Sequence, residues 1–155
     1  MRIDIQEKIL IVGCGKAEDA SLIEAIRNEP TWDVIDQCET YFLTLQHVLY
    51  HRPHMVIIDL TLSHSNPFQL AAIIMAVSHR TRLLFLCDNP TDDQVSKILS
   101  IKAHGLICRN KKPDAVVAEI RIVSTGGISY DQTILMRLII GSDGIRLGDV
   151  IPQQG

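Results

Sequence analysis

Short apolar runs alternate with longer amphipathic stretches along most of the chain, and this change of period predicts the fold. Residues 8–12 (KILIV) read as a buried strand ending at Gly13-Cys14-Gly15. Residues 17–27 place Ala20, Leu22, Ile23 and Ile26 at helical spacing, and Glu29-Pro30 stops that helix. Val34 and Ile35 predict a short second strand. A helix over 40–51 follows, with Tyr41, Leu45, Val48 and Leu49 on one face and Arg52-Pro53 at its end. Residues 55–58 (MVII) are apolar on both faces, as a central parallel strand requires, and the run ends at Asp59.

The second half repeats the pattern. After the turn residues SHSNP, Leu70, Ile73, Ile74 and Val77 predict a helix over 68–78. Residues 83–87 (LLFLC) form a fourth strand, Asp88-Asn89-Pro90 a turn, and 91–101 a helix with Val95, Ile98 and Leu99 inward. Residues 105–108 (GLIC) give a fifth strand. The helix 114–124 then carries Val116, Val117, Ile120 and Val123 as its stripe and stops at Gly126-Gly127.

Strands separated by helices of this length imply right-handed crossovers and a parallel sheet covered on both faces. The expected architecture is therefore α/β: a flavodoxin-like, doubly wound, five-stranded parallel sheet in the order 2-1-3-4-5. Its functional crevice lies outside the carboxyl ends of strands 1 and 3. A further helix over about 131–140 carries the apolar stripe Ile134, Leu135, Leu138 and Ile139, which needs burial against this domain, a second copy or a partner. The segment GSDGIRLGDV reads as turns around a short strand. Residues 1–128 are expected to form the domain, and 129–155 a C-terminal helix and tail.

Composition narrows the class without naming a chemistry. The 155 residues suit one domain with its own core, and 46% apolar and 21% charged residues are ordinary for a folded protein. The apolar runs are too short or interrupted to span a bilayer, and no signal-peptide pattern opens the chain, so a cytoplasmic location without membrane contact is expected. A net charge of −3 gives no general pull toward nucleic acid. Cys14, Cys38, Cys87 and Cys108 form no C-x-x-C pair and read as reduced structural thiols.

Two carboxylates, Asp59 and Asp88, stand directly after predicted strands, where an α/β sheet concentrates its binding chemistry. GCGKAED lacks both phosphate-loop spacings and reads as a strand-to-helix turn, although amides near Gly13 and Gly15 suit an anion. Among the six histidines, His47 and His51 alone are spaced four apart, off the core stripe of their helix. They read as a surface pair rather than a zinc site. No Ser or Cys stands in a nucleophile motif, so no catalytic residue, metal or cofactor is expected.

The segments KILIV, HRPHMVIIDL, LLFLC and AHGLICRNKKPDAVVAEIRIVSTGG resemble the receiver domain of the response regulators, most closely the receivers followed by a LuxR-type helix-turn-helix. The resemblance covers about residues 8–130. In that family an acidic pair after the first strand holds Mg²⁺, an Asp after the third takes a phosphoryl group from a histidine kinase, a Ser or Thr follows the fourth, and a Lys follows the fifth. Carried over, the acidic pair falls on Gly13 and Cys14, neither of which offers an oxygen side-chain ligand to a hard cation. The acceptor falls on Asp59, the hydroxyl on Cys87 and the lysine on Arg109, with Lys111 and Lys112 nearby. Leu62-Ser63 replaces Met-Pro, and the aromatic switch position falls on Leu106. Glu18 and Asp19 would reach back to the site only from an unusual first helical turn.

The resemblance therefore implies a degenerate receiver: a phosphorylation-independent signalling module acting through protein–protein contacts in transcriptional regulation. The alternatives are a conventional receiver phosphorylated on Asp59, and a flavodoxin-like enzyme. The expected pocket comprises Gly13, Cys14, Asp59, Cys87, Asp88 and Arg109. The face over residues 90–124, with Gln94, Lys97, Lys102, Asp114, Glu119 and Arg121 of mixed sign, suits a homodimer or a regulatory protein partner. The chain ends at Gly155 without room for a helix-turn-helix, so direct DNA binding by it is not expected.

Overall fold

The computed structural model describes residues 5–62 and 66–141, without the side chains of 137–141. Its elements run β1 (Glu7–Val12), α1 (Ala20–Arg27), β2 (Trp32–Cys38), α2 (Tyr41–His51), β3 (Met55–Asp59) and α3 (Pro67–Val77). They continue with β4 (Arg82–Cys87), α4 (Asp92–Ile101), β5 (Gly105–Cys108), α5 (Pro113–Ser124), β6 (Ser129–Tyr130) and α6 (Gln132–Gly141). The strands form one sheet in the order β2-β1-β3-β4-β5-β6, and all pairs are parallel.

Successive strand side chains point to opposite faces, so each central strand feeds two cores. Leu10, Val12, Val56, Ile58, Leu83 and Phe85 meet Val48, Leu70, Ile74, Val95 and Ile98 beneath α2, α3 and α4. Ile9, Ile11, Ile57, Leu84 and Leu86 meet Leu22, Ile26, Val116 and Ile120 beneath α1 and α5. Helix ends follow local chemistry. Thr40 caps α2 by accepting from the Leu43 amide at 3.2 Å, and Asn66 caps α3 ahead of Pro67. Thr91 and Gln94 form a reciprocal capping box on α4.

The sheet has six strands, not the five expected. Ser129 and Tyr130 add a two-residue strand beside β5, too short to leave a periodic signal. The sixth helix brings Ile134 into burial at 5% exposure, with Leu135 against the same core, so this part of its stripe is covered within the chain. Leu138, Ile139 and the segment after residue 141 lie outside the described side chains. The second strand is longer than expected because it is an edge strand with mixed polarity. It also carries a bulge: Ile9 pairs Val34 but Leu10 pairs Asp36, leaving Ile35 extra. No helix among the described residues is long and apolar enough to cross a membrane.

Candidate functional site at the strand ends

Asp59 ends β3 and is 3% exposed, and its carboxylate gathers partners from three segments. Gly13 follows β1 at φ +89°, where an added Cβ would sit 2.7 Å from the Asp59 Cβ, so both conformation and space require glycine. Cys14 follows at φ +62°, and this double left-handed turn aims its amide at Asp59 Oδ2, 3.2 Å away. The Thr61 amide and hydroxyl donate to Asp59 Oδ1 at 2.9 and 2.7 Å. Arg109, just beyond β5, donates through Nη2 to Oδ1 at 2.5 Å and through Nη1 to Oδ2 at 3.2 Å.

Arg109 also reaches two other acids. Its Nη1 lies 3.3 Å from Asp19 Oδ1, and its Nε lies 3.0 Å from Asp88 Oδ1 in an ion pair without hydrogen-bond alignment. Burial alone would raise the Asp59 carboxyl, but hydrogen bonds from Arg109 and Thr61, with the guanidinium charge, outweigh it and hold the group down at about 2. Burial likewise works against the Arg109 charge, and Asp59 reverses that, so the guanidinium is held more firmly protonated than usual. Cys14 is different. Burial first, then the Asp59 charge, push its thiol up to about 12, so it stays neutral.

Asp19 was expected to stay away unless the first turn was unusual, and the turn is unusual. Residues Ala17–Asp19 form a 3-10 turn ahead of α1, which buries Asp19 at 2% exposure beside Arg109. Its Oδ2 is buried without a hydrogen-bond partner. Donor atoms of Cys14, Asp19 and Asp59 all lie within 4.8 Å of one another. The carboxylate oxygens suit a hard divalent cation such as Mg²⁺, and the neutral thiol does not.

The structure thus brings together Gly13, Cys14, Asp59, Asp88 and Arg109. It turns Cys87 away: the sulfur lies 3.7 Å from Cys108 Sγ and 3.6 Å from the Ile107 carbonyl. The hydroxyl beside Asp59 comes from Thr61 instead. Sequence reading missed Thr61, although an Asp followed two positions later by Thr is a known local hydrogen-bonding pattern. Lys111 pairs with Glu119 at 2.5 Å and lies 3.7 Å from Asp131, so it serves α5 and the start of α6 rather than Asp59. A cleft of about 350 Å³ lined by Asp19, Asp88, Arg109 and Pro113, among others, opens beside the cluster. Ser63 and His64 lie outside the described residues.

On the expected dimer face, Gln94 is held in the α4 cap, Lys97 pairs with Asp93 at 3.2 Å, and Arg121 pairs with Glu29 across the α1 side. Lys102 and Asp114 are exposed.

No protein-family model and no curated protein matches the chain. Solved structures do. A LuxR-family two-component response regulator from Aurantimonas sp. SI85-9A1 superposes with TM-score 0.78 at 16% identity, over 89% of this chain and 99% of that one. The fold is that of a response-regulator receiver. The isolated receiver domain of RcsB from Salmonella enterica serovar Typhimurium matches with TM-score 0.74 at 12% identity, over 86% of this chain and 99% of that one. RcsB dimers bound to two parallel DNAs match with TM-score 0.74 at 12% identity, over 86% and 68% of the two chains. In this receiver fold the Asp59 cluster occupies the crevice where α/β sheets hold their ligands.

Proposed function

We propose that the chain is a receiver-like signalling module, not an enzyme, and that Asp59 accepts a phosphoryl group. The observation that carries this reading is the arrival of Asp19 beside Asp59. Two buried carboxylates, one with an unpaired oxygen, form the acidic pocket that Gly13 and Cys14 alone do not supply. An Asp59 oxygen attacks the phosphorus of an acyl phosphate or phosphohistidine donor, the bond from phosphorus to the donor breaks, and the donor leaves with its electron pair. A divalent cation held by Asp19 and Asp59 would neutralise charge on the phosphoryl oxygens. Arg109 covers both Asp59 oxygens, so it must swing aside to admit the donor, and its guanidinium then suits the bound phosphoryl group.

The phosphorylation-independent reading is the second one. It is favoured by that same Arg109 clamp, which already neutralises Asp59 and leaves it almost inaccessible. Incubation with acetyl phosphate and Mg²⁺, read by intact mass, separates the two. The first predicts one added phosphoryl group in the natural chain and none in Asp59→Ala; an unmodified natural chain restores the second.

The mixed-charge face of α4, β5 and α5 is proposed as a homodimer surface, by analogy with the dimers recorded for RcsB. Regulation of transcription through such a dimer or a regulatory partner protein is the corresponding output.

A further inference from the structure

We propose that Asp36, Cys38 and His47 form a binding site for a borderline divalent transition-metal ion of the zinc class, on the α2 side of the β2 edge. The bulge in β2 creates the arrangement. Before it, Trp32 and Val34 face α1 and α5; after it, Cys38 lies in the opposite core, and Asp36 shares its side of the strand. In a regular strand without the bulge, even-numbered positions would all face the same way. The bulge turns an oxygen and a sulfur donor toward α2, and α2 presents His47 to them.

The three donors already converge. His47 Nε2 and Asp36 Oδ2 are 2.8 Å apart, and both lie within 4.8 Å of Cys38 Sγ. A tetrahedral zinc ion with bonds of about 2.0–2.3 Å holds its ligands roughly 3.3–3.8 Å apart, so adjustments below about 1.5 Å seat the ion. Charge balances as well: a carboxylate, a thiolate and a neutral imidazole offset two positive charges, and binding expels the Cys38 proton.

The site has a dry wall and an open mouth. Cys38 is 3% exposed, whereas the Asp36 side chain is 49% exposed and gives the ion a route from solvent. His51 stacks on His47 with ring centroids 5.6 Å apart, which fixes the imidazole plane. The mixed N, S and O donors favour zinc-class ions over Mg²⁺, so the site is chemically distinct from the Asp59 pocket and independent of its phosphorylation.

Cobalt(II) titration of the full chain in thiol-free reducing buffer tests the proposal, because cobalt bound to a thiolate gives a charge-transfer band in the near ultraviolet. One equivalent is expected to raise the band and excess zinc to remove it. Cys38→Ser should abolish it, and His47→Ala, on a partly buried position of α2, should weaken binding at least about tenfold. Absence of the band in the natural chain, or unchanged affinity in His47→Ala, overturns the proposal. So does a band that survives Cys38→Ser and disappears in Cys14→Ser, since it would place the ion at the other cluster.

Discussion

Replacing Arg109 by Met removes the cation that three carboxylates share and keeps most of the side chain's volume. The fall of the Asp59 carboxyl from its ordinary 3.8 to about 2 is worth roughly 2–3 kcal/mol of folding free energy at neutral pH. Asp19, also buried against Arg109, adds to the loss, and the total falls in the range of about 3–5 kcal/mol typical of a buried pair broken from one side. The pH dependence follows from the direction of the shift. In the natural chain the depressed Asp59 stabilises fully above 3.8, and that contribution disappears as pH falls through about 2. In the variant the hydrogen bonds from Thr61 still oppose burial but the guanidinium no longer does, so Asp59 rises from about 2, and the destabilisation is greatest at neutral pH and shrinks as the carboxyl takes up its proton. Urea unfolding at about pH 7.5 and about pH 5 measures both effects, and adding Asp59→Asn to the variant should restore stability. A loss below about 1 kcal/mol at neutral pH, or no recovery in the double variant, would refute the clamp.

Gly13→Ala meets both a positive φ and a 2.7 Å approach to the Asp59 Cβ, and should cost about 2 kcal/mol or more by chemical denaturation. Thr61→Val removes a hydroxyl bond to a charged carboxylate and should cost about 1.5–3 kcal/mol, with a measurable rise in the acid-unfolding midpoint. Thr91→Ala breaks the α4 capping box and should lower stability by about 1 kcal/mol without altering the Asp59 pocket. Light scattering is expected to find a dimer that Lys97→Glu with Lys102→Glu converts to monomer; a natural chain that is monomeric removes the proposed face.

Much of this was legible in the sequence because strong periodicity survives in buried elements. The runs 8–12, 55–58, 83–87 and 105–108 mark central strands, since both faces of each are covered. Edge structure was less legible. The bulge at Ile35 breaks the alternation of β2, and β6 is too short for any period. At the site, Asp59 and Asp88 were placed by their positions after strands, and Arg109 by the resemblance to receivers. Asp19 was not, because its approach depends on a 3-10 turn that the helical pattern of 17–27 does not encode. The Thr61 hydroxyl meets Asp59 for a local reason, being two residues from it, while the Cys87 sulfur lies against the opposing Cys108.

Asp19 and Asp59 are proposed to form one acidic site for phosphoryl transfer. Its most direct test is the rate of phosphoryl addition from acetyl phosphate, followed by intact mass across a Mg²⁺ titration in the natural chain and in Asp19→Asn. The rate is expected to rise with Mg²⁺ and saturate in the natural chain, and to fall at least about tenfold in the variant. Equal rates in the two proteins, or no modification of either, would contradict it.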